Sequence, residues 1–426
     1  MNKIASPSRL FLYTSAETGI IAAETMTRLY ILVFYVSAGL DPALAGIAMT
    51  LAIGVDAISD PLMGRIIDRF QSNVGRRRIF FIPGSILFTL SFLALFTPVP
   101  QGGVLLFLWL LISYIGVNLG MTILAIPHLA LTVDMASNNY ERSKAFAFKY
   151  FFSVFGMLIG TGVPGYLLTQ EITDPHHKSA AVLGLLIMMT ATLAFLSSKG
   201  FDKPTIKKNK VQDSLITMIK KPWFILVTLS WVLSSIGQTI NSAAALYYYR
   251  LFLKLPEDQT QIILFTFMLT VCLSLPVWVI MSKMRSKAHM IAVSILLLGI
   301  TGSVAYPLFP PEVMLWPLIY GIFGGILIGS VALLEPFLSE RLIADGIHNF
   351  GIYFGIWKMS GKIARAIGVG LTGLAFSWIG WDENTQVLLH PDRLAYLFGP
   401  WVGAFFAVSA ILLWFVTKTS DKDSSP

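Results

Sequence analysis

The sequence is poor in charge. Of its 426 residues 13% are Asp, Glu, Lys or Arg, against 55% hydrophobic, and soluble domains usually carry about 25% charged residues. A soluble protein of this length could not cover its surface with so few charges. Cysteine is nearly absent, and a single Cys272 excludes a disulfide framework or a cysteine-ligated metal cluster within one chain. No H-E-x-x-H pair or Cys/His metal spacing occurs, and the adjacent His176 and His177 alone make a poor metal site. There is no phosphate-cradling P-loop and no G-x-S-x-G elbow, which disfavours an ATP-driven pump and a serine hydrolase. An enzyme is therefore not expected, and neither is a cofactor beyond a coupling ion. Disorder is excluded because apolar and aromatic residues run from end to end.

What is present is a series of long uncharged runs. A hydrocarbon core of about 30 Å needs about 20 apolar residues at helical rise. The interval 79–133 holds no charge and supplies two spans joined by a Pro/Gly turn at 98–103. Further runs are 150–170, 179–198, 222–249, 259–282, 288–311, 313–334 and 394–417, and three charged but apolar segments lie near 10–37, 43–64 and 351–381. The total is twelve helices, with no alternating strand pattern. The first apolar segment is long and lacks a small-residue cleavage site, so no cleavable signal is expected. The reading is a multi-pass cell-membrane protein, placed in the inner membrane if the source is bacterial.

Lys and Arg gather in alternate loops: Lys3 and Arg9; Arg65, Arg69 and Arg76 to Arg78; Arg142, Lys144 and Lys149; Lys283, Arg285 and Lys287. By the positive-inside rule these loops and both termini are cytoplasmic. The net charge of +8 then follows from topology and anionic lipid, and no nucleic-acid partner is expected. The longest polar interval, 199–221, reads as a basic linker. It separates an N-terminal six-helix bundle, 1–198, from a C-terminal one, 222–426. A faint echo between the loops after spans two and eight supports two repeats, the layout of alternating-access carriers. The expected partners are a small solute and the bilayer, with the chain as a monomer.

Several intramembrane polar residues are candidates for the chemistry. Asp56 and Asp60 are four apart, so both carboxylates lie on one helix face. Such a pair is costly in a membrane and marks an ion pathway unless it only salt-bridges a cation from another helix. Two carboxylates this close share a proton or bind a cation. On helix one, Glu24 and Arg28 read as an intrahelical pair, which leaves Glu17 for the cavity or the headgroups. Lys358, Lys362 and Arg365 form a stripe on helix eleven whose natural counter-charges are Asp56 and Asp60, or which snorkels to headgroups. Gln238 and Asn241 offer amide hydrogen bonds to a ligand or to neighbouring helices, and Trp357 a face for a sugar ring or for packing. His128 reads as a packing residue or a proton relay. Tyr247, Tyr248 and Tyr249 read as an interfacial belt.

Gly64, Asp68 and Arg69, followed by Gly75-Arg76-Arg77-Arg78, resemble the loop motif of the major facilitator superfamily. The run Asp56-Ala-Ile-Ser-Asp60-Pro61-Leu-Met-Gly64 resembles the second-helix signature of the glycoside–pentoside–hexuronide:cation symporters, the family of the melibiose carriers. Ile126-Pro127-His128, Ala130-Leu131, Asp134-Met135 and Tyr140-Glu141-Arg142-Ser143 resemble that family's fourth-helix exit, and Lys362 stands where the family keeps a lysine. The resemblance implies an all-α major facilitator fold and Na⁺- or H⁺-coupled symport. It also implies a cation site of Asp56, Ser59, Asp60 and Thr122, and a substrate contact at Lys149, where the family usually has arginine. The solute it implies is a sugar, glycoside or sugar acid, bound between helices one, four, five, seven, ten and eleven. The acids that bind sugar in these carriers are missing at 19–21 and at Ala125. Lysolipid carriers share the signature and lack them too, so an amphiphilic anion stays open as the cargo. A non-transporting sensor on the same fold is the alternative from another class. Asp68, Arg69, Arg76, Arg77 and Arg78, with Asp134 and Arg142, read as a latch at the cytoplasmic mouth or as topogenic charge alone.

Overall fold

A computed structural model describes residues 6–70, 72, 74–97, 103–135, 139–170, 172–202, 221–282, 284, 286–345, 350–382 and 387–423. It is built of twelve long helices. The first six are α1 (Pro7–Ser37, interrupted by a turn at Ser15), α2 (Pro42–Arg69), α3 (Arg78–Leu95), α4 (Gly103–Met135), α5 (Asn139–Leu168) and α6 (Pro175–Ser197). The second six are α7 (Pro222–Phe252), α8 (Glu257–Met281), α9 (Lys287–Leu308), α10 (Leu315–Ala344), α11 (Phe350–Ile379) and α12 (Asp392–Thr417). Among the described residues eleven of these are long and apolar enough to cross a membrane. The twelfth, α11, is 30 residues long but carries Lys358, Lys362 and Arg365, which lower its apolar character.

Local sequence explains where several helices begin. Proline occupies the first turn of α1, α2, α6 and α7, where its missing N–H costs nothing. Ser6 and Asp41 cap α1 and α2 through their side chains, Asp41 accepting from Leu44 N at 3.0 Å. One departure from an all-helical reading follows α11. Trp381–Asp382 and Val387–Leu388 form a two-residue antiparallel pair, with Trp381 opposite Leu388. Gly380, at φ 95°, turns the chain into it. The Pro/Gly turn expected at 98–103 lies outside the described residues except for Gly103.

The chain divides into two compact units, Met1–Lys208 and Asn209–Pro426, and the division falls inside the interval read as a linker. In the first unit α1 packs on α5 and α6, α2 on α4, and α3 on α4 and α6. In the second, α7 packs on α11 and α12, α8 on α10, and α9 on α10 and α12. Adding six to each number in the first set gives the second, so the repeat that is faint in sequence is explicit in packing.

Lipid is as apolar as leucine, so these contacts rely on close approach and on internal hydrogen bonds. A Cβ on Gly160 would meet the Ala22 carbonyl oxygen at 2.3 Å, which fixes the α1–α5 spacing. Between α7 and α12, Ser409 Oγ lies 2.7 Å from both Ser230 Oγ and Ser234 Oγ, a hydroxyl cluster buried throughout. At one end of the second unit, Asp345 accepts from Lys221 Nζ at 2.6 Å and Trp223 Nε1 at 3.0 Å. Partial burial works against ionisation of Asp345, but these two donors outweigh it and hold the carboxyl below its usual range.

Gly160→Ala is expected to force α1 from α5 and destabilise by about 1–3 kcal/mol. Gly54→Ala, where a Cβ meets nothing within 4 Å, should instead be neutral or stabilise by up to about 1 kcal/mol. Thermal unfolding of the two purified variants checks this, and equal shifts would refute the packing account.

Candidate functional site

The i, i+4 spacing of Asp56 and Asp60 on α2 meets the i, i+4 spacing of Asn118 and Thr122 on α4. Asn118 Nδ2 donates to the Ala52 carbonyl at 3.4 Å, one turn before the acids, and sets the register of the two helices. Thr122 Oγ1 then sits 3.0 Å from Asp56 Oδ1 and 2.8 Å from Asp60 Oδ1. Asp56 and Thr122 are 2% and 3% exposed. A hydroxyl has one proton and donates to one carboxylate at a time. A proton on the other carboxyl, or a cation among the three oxygens, relieves the remaining contact. Ser59 Oγ donates to the Asp56 carbonyl at 2.9 Å, so its proton is spent on backbone while its oxygen lone pairs remain. Among the described residues no group of three or more His, Cys, Asp or Glu is placed to hold a metal. Two carboxylates and a hydroxyl are a hard-oxygen set of low charge.

Glu17 and Lys149, read separately from sequence, are brought together. Lys149 Nζ on α5 lies 3.0 Å from Glu17 Oε1 on α1, and Ser153 Oγ donates to the same oxygen at 3.4 Å. His128 on α4 completes the cluster, with Nδ1 3.9 Å from Glu17 Oε2. Its ring is stacked on Tyr13, centroids 4.6 Å apart, and Tyr13 Oη donates to the His128 carbonyl at 2.7 Å. Glu24 and Arg28 form the intrahelical pair their spacing predicts, at 3.0 Å. Tyr13 and Ser153 were not legible in the sequence; only the stripe positions of Tyr13 and Glu17 on α1 point to them.

In the second unit the candidates have different surroundings. Asn241 hydrogen-bonds the Tyr306 hydroxyl. Gln238 Nε2 is buried without a hydrogen-bond partner. Trp357 is 1% exposed and stacked on Trp231, centroids 5.1 Å apart, so one face of its indole is already covered. Lys358 is exposed, while Lys362 and Arg365 are half-buried and engaged. Tyr247, Tyr248 and Tyr249 do not form an interfacial belt. All three are buried, since α7 ends in a π-helical turn at Tyr248–Phe252 and Tyr248 stacks on Phe398 at 4.4 Å.

Of the expected latch, the side chains of Asp68, Arg69, Asp134 and Arg142 lie outside the described residues. Arg77 and Arg78 are bound within their own unit. Arg77 Nη1 donates to the Ala130 carbonyl at 2.8 Å, and Arg78 donates to the Phe195 carbonyl at 2.7 Å and Ser198 Oγ at 3.1 Å. Asp202, which sequence reading passed over, accepts from the backbone N–H groups of Arg77 and Arg78 at 2.6 and 3.0 Å. Arg76 Nε is buried without a partner.

This fold has counterparts among known proteins. Residues 12–420 match the family described as MFS/sugar transport protein. The chain belongs to that family. It is a multi-pass membrane transporter and not an enzyme. It is 20% identical to an isoprimeverose transporter of Lactiplantibacillus pentosus, over 97% of this chain and 90% of that one. It is also 20% identical to the sodium-dependent lysophosphatidylcholine symporter 1-A of Danio rerio, over 82% of this chain and 74% of that one. A solved bacterial homologue of the human drug peptide transporters PepT1 and PepT2 shares the fold. The TM-score is 0.72 at 14% identity, with 99% of this chain and 100% of that one covered.

Within this transporter fold the Asp202 tie is structural. Asp202→Ala strands two backbone donors and is expected to cost about 1–3 kcal/mol. Gly75→Ala should also destabilise, because Gly75 sits at φ 125° and a Cβ would meet Asp202 Oδ2 at 2.5 Å. Both losses should appear in thermal unfolding and be the same in every salt; a salt-dependent loss would place this loop in ion binding instead.

Proposed function

We propose that the chain is a symporter that couples a small solute to Na⁺ or H⁺, with Asp56, Asp60 and Thr122 as the cation ligands. The observation that carries the reading is the single Thr122 hydroxyl within 3.0 Å of both carboxylates. Two carboxylates converging on one proton donor favour an added positive charge. Binding that charge halves the net charge of the pair and lowers the cost of enclosing it away from water. The cation would thereby favour the closed, loaded carrier, and solute and ion would move together by alternating access. A sugar, glycoside or sugar acid is the preferred cargo, supported by the family and by the isoprimeverose transporter among its relatives. An amphiphilic anion of the lysolipid kind is the second reading. It is favoured by the absence of acids at 19–21 and at Ala125, and by Lys149 engaging the one acid nearby, Glu17.

Thermal unfolding in NaCl, LiCl, KCl and choline chloride at constant ionic strength tests the ion. At Na⁺ about 100-fold above its Kd the stabilisation should be about 2.7 kcal/mol. It should vanish in Asp60→Asn and shrink in Thr122→Val. If all salts act alike but acidification stabilises wild type and not Asp60→Asn, the ion is H⁺; if neither holds, the cation-site reading fails. Uptake of isoprimeverose, a glucuronide and lysophosphatidylcholine by proteoliposomes then separates the two cargo readings.

A further inference from the structure

We propose that His128 and Glu17 form a second ion site, one that takes a proton, and that loading it loosens Lys149 from Glu17. The site is independent of the Asp56–Asp60–Thr122 oxygens. Thr122 and His128 are six residues apart on α4, about 9 Å at helical rise, with Pro127 between them.

The argument begins with the ring. His128 Nε2 lies 3.0 Å from the Tyr13 carbonyl oxygen. A carbonyl only accepts, so Nε2 carries the hydrogen in every protonation state. Nδ1 is left as the position that titrates. It is buried, has no hydrogen-bond partner, and faces a carboxylate oxygen at 3.9 Å. In a neutral ring that places a lone pair against an anion, and one proton from the medium converts the repulsion into an ion pair. No covalent bond other than N–H is formed.

The groups around the ring define the consequence. From α1 come Glu17 and Tyr13, and from α5 comes Lys149. From α3 comes the Phe81 ring, while Arg77, just before it, donates to the Ala130 carbonyl. From α2 the nearest acids, Asp56 and Asp60, are taken up at Thr122. Unloaded, Glu17 and Lys149 cancel. Loaded, one carboxylate serves two cations, and its hold on each weakens. The side chains of His128 and Glu17 are 1% and 10% exposed and that of Lys149 is 21% exposed. Lys149 is therefore the member free to swing outward. A released lysine on α5 offers a positive charge to an anionic or hydroxyl-rich solute, so the proton and the solute would favour one another.

The test is ¹⁵N NMR of the six histidine rings in the full-length protein, in nanodiscs, between about pH 3 and 8. His128→Gln assigns the signal. The expected result is an Nε2–H neutral ring at high pH that gains a proton at Nδ1 as pH falls. Glu17→Gln should lower the midpoint by about 1–3 pH units and Lys149→Gln should raise it. Asp60→Asn should leave the titration in place. If His128→Gln does not fold, the resonance that moves in opposite directions in the other two variants still identifies the ring. A ring that stays neutral across the range, or a midpoint that neither neighbour moves, overturns the proposal. The salt and acid dependence of unfolding is read at Asp60→Asn and Thr122→Val, and the His128 resonance at Glu17→Gln and Lys149→Gln, so the two readings fail separately.

Discussion

Inside a bilayer an ionised side chain has nothing to solvate it except the rest of the chain. That constraint shapes the first unit more than any packing preference. Its charged groups within the spans are gathered by partner: Glu24 with Arg28, Glu17 with Lys149 and His128, Asp56 and Asp60 with Thr122. The same constraint spends Arg78 on the Phe195 carbonyl, Ser198 and the Phe195 ring at the end of α6. Where neutral hydroxyls are buried, as at Ser230, Ser234 and Ser409, they bond one another across helices.

The helix that benefits most is α4. It supplies Thr122 to the acids of α2 and His128 to the acid of α1, and it accepts Arg77 at Ala130. Pro127 lies between the first two contacts and withholds one backbone hydrogen bond from the preceding turn. A helix weakened there and tied on both sides can hold the two contacts as separate units. The motif around Pro127 thus has a physical role apart from marking the end of a span.

Spans and the shared face of Asp56 and Asp60 were legible because they depend on composition and on spacing along one helix. Asp202 was not, since its role depends on two backbone N–H groups at Arg77 and Arg78, more than 120 residues away in sequence. The burial of Tyr247 to Tyr249 depends on a π-helical turn that no propensity announces. Glu17 and Lys149 were each visible as charges in a span, but their pairing required the α1–α5 contact that Gly160 permits. Trp357 was visible as an aromatic near cations, and only the fold supplies Trp231 as the ring against it.

The two units repeat one packing scheme but not one chemistry. Equivalent helices carry different charges: α1 and α2 hold Glu17, Asp56 and Asp60, while α7 and α8 hold no Asp, Glu, Lys or Arg in their central turns. The second unit has a stripe of cations at mid-helix on α11, the counterpart of α5, which carries Lys149. Position five of each repeat is thus basic and positions one and two are acidic only in the first. Duplication accounts for the shared scaffold. The acids occupy the helices of the first repeat that meet α4 and α5. The oxygens proposed to hold the cation all lie in the first unit. The second unit holds instead the α11 cations, the Gln238 and Asn241 amides and the stacked Trp231 and Trp357 indoles.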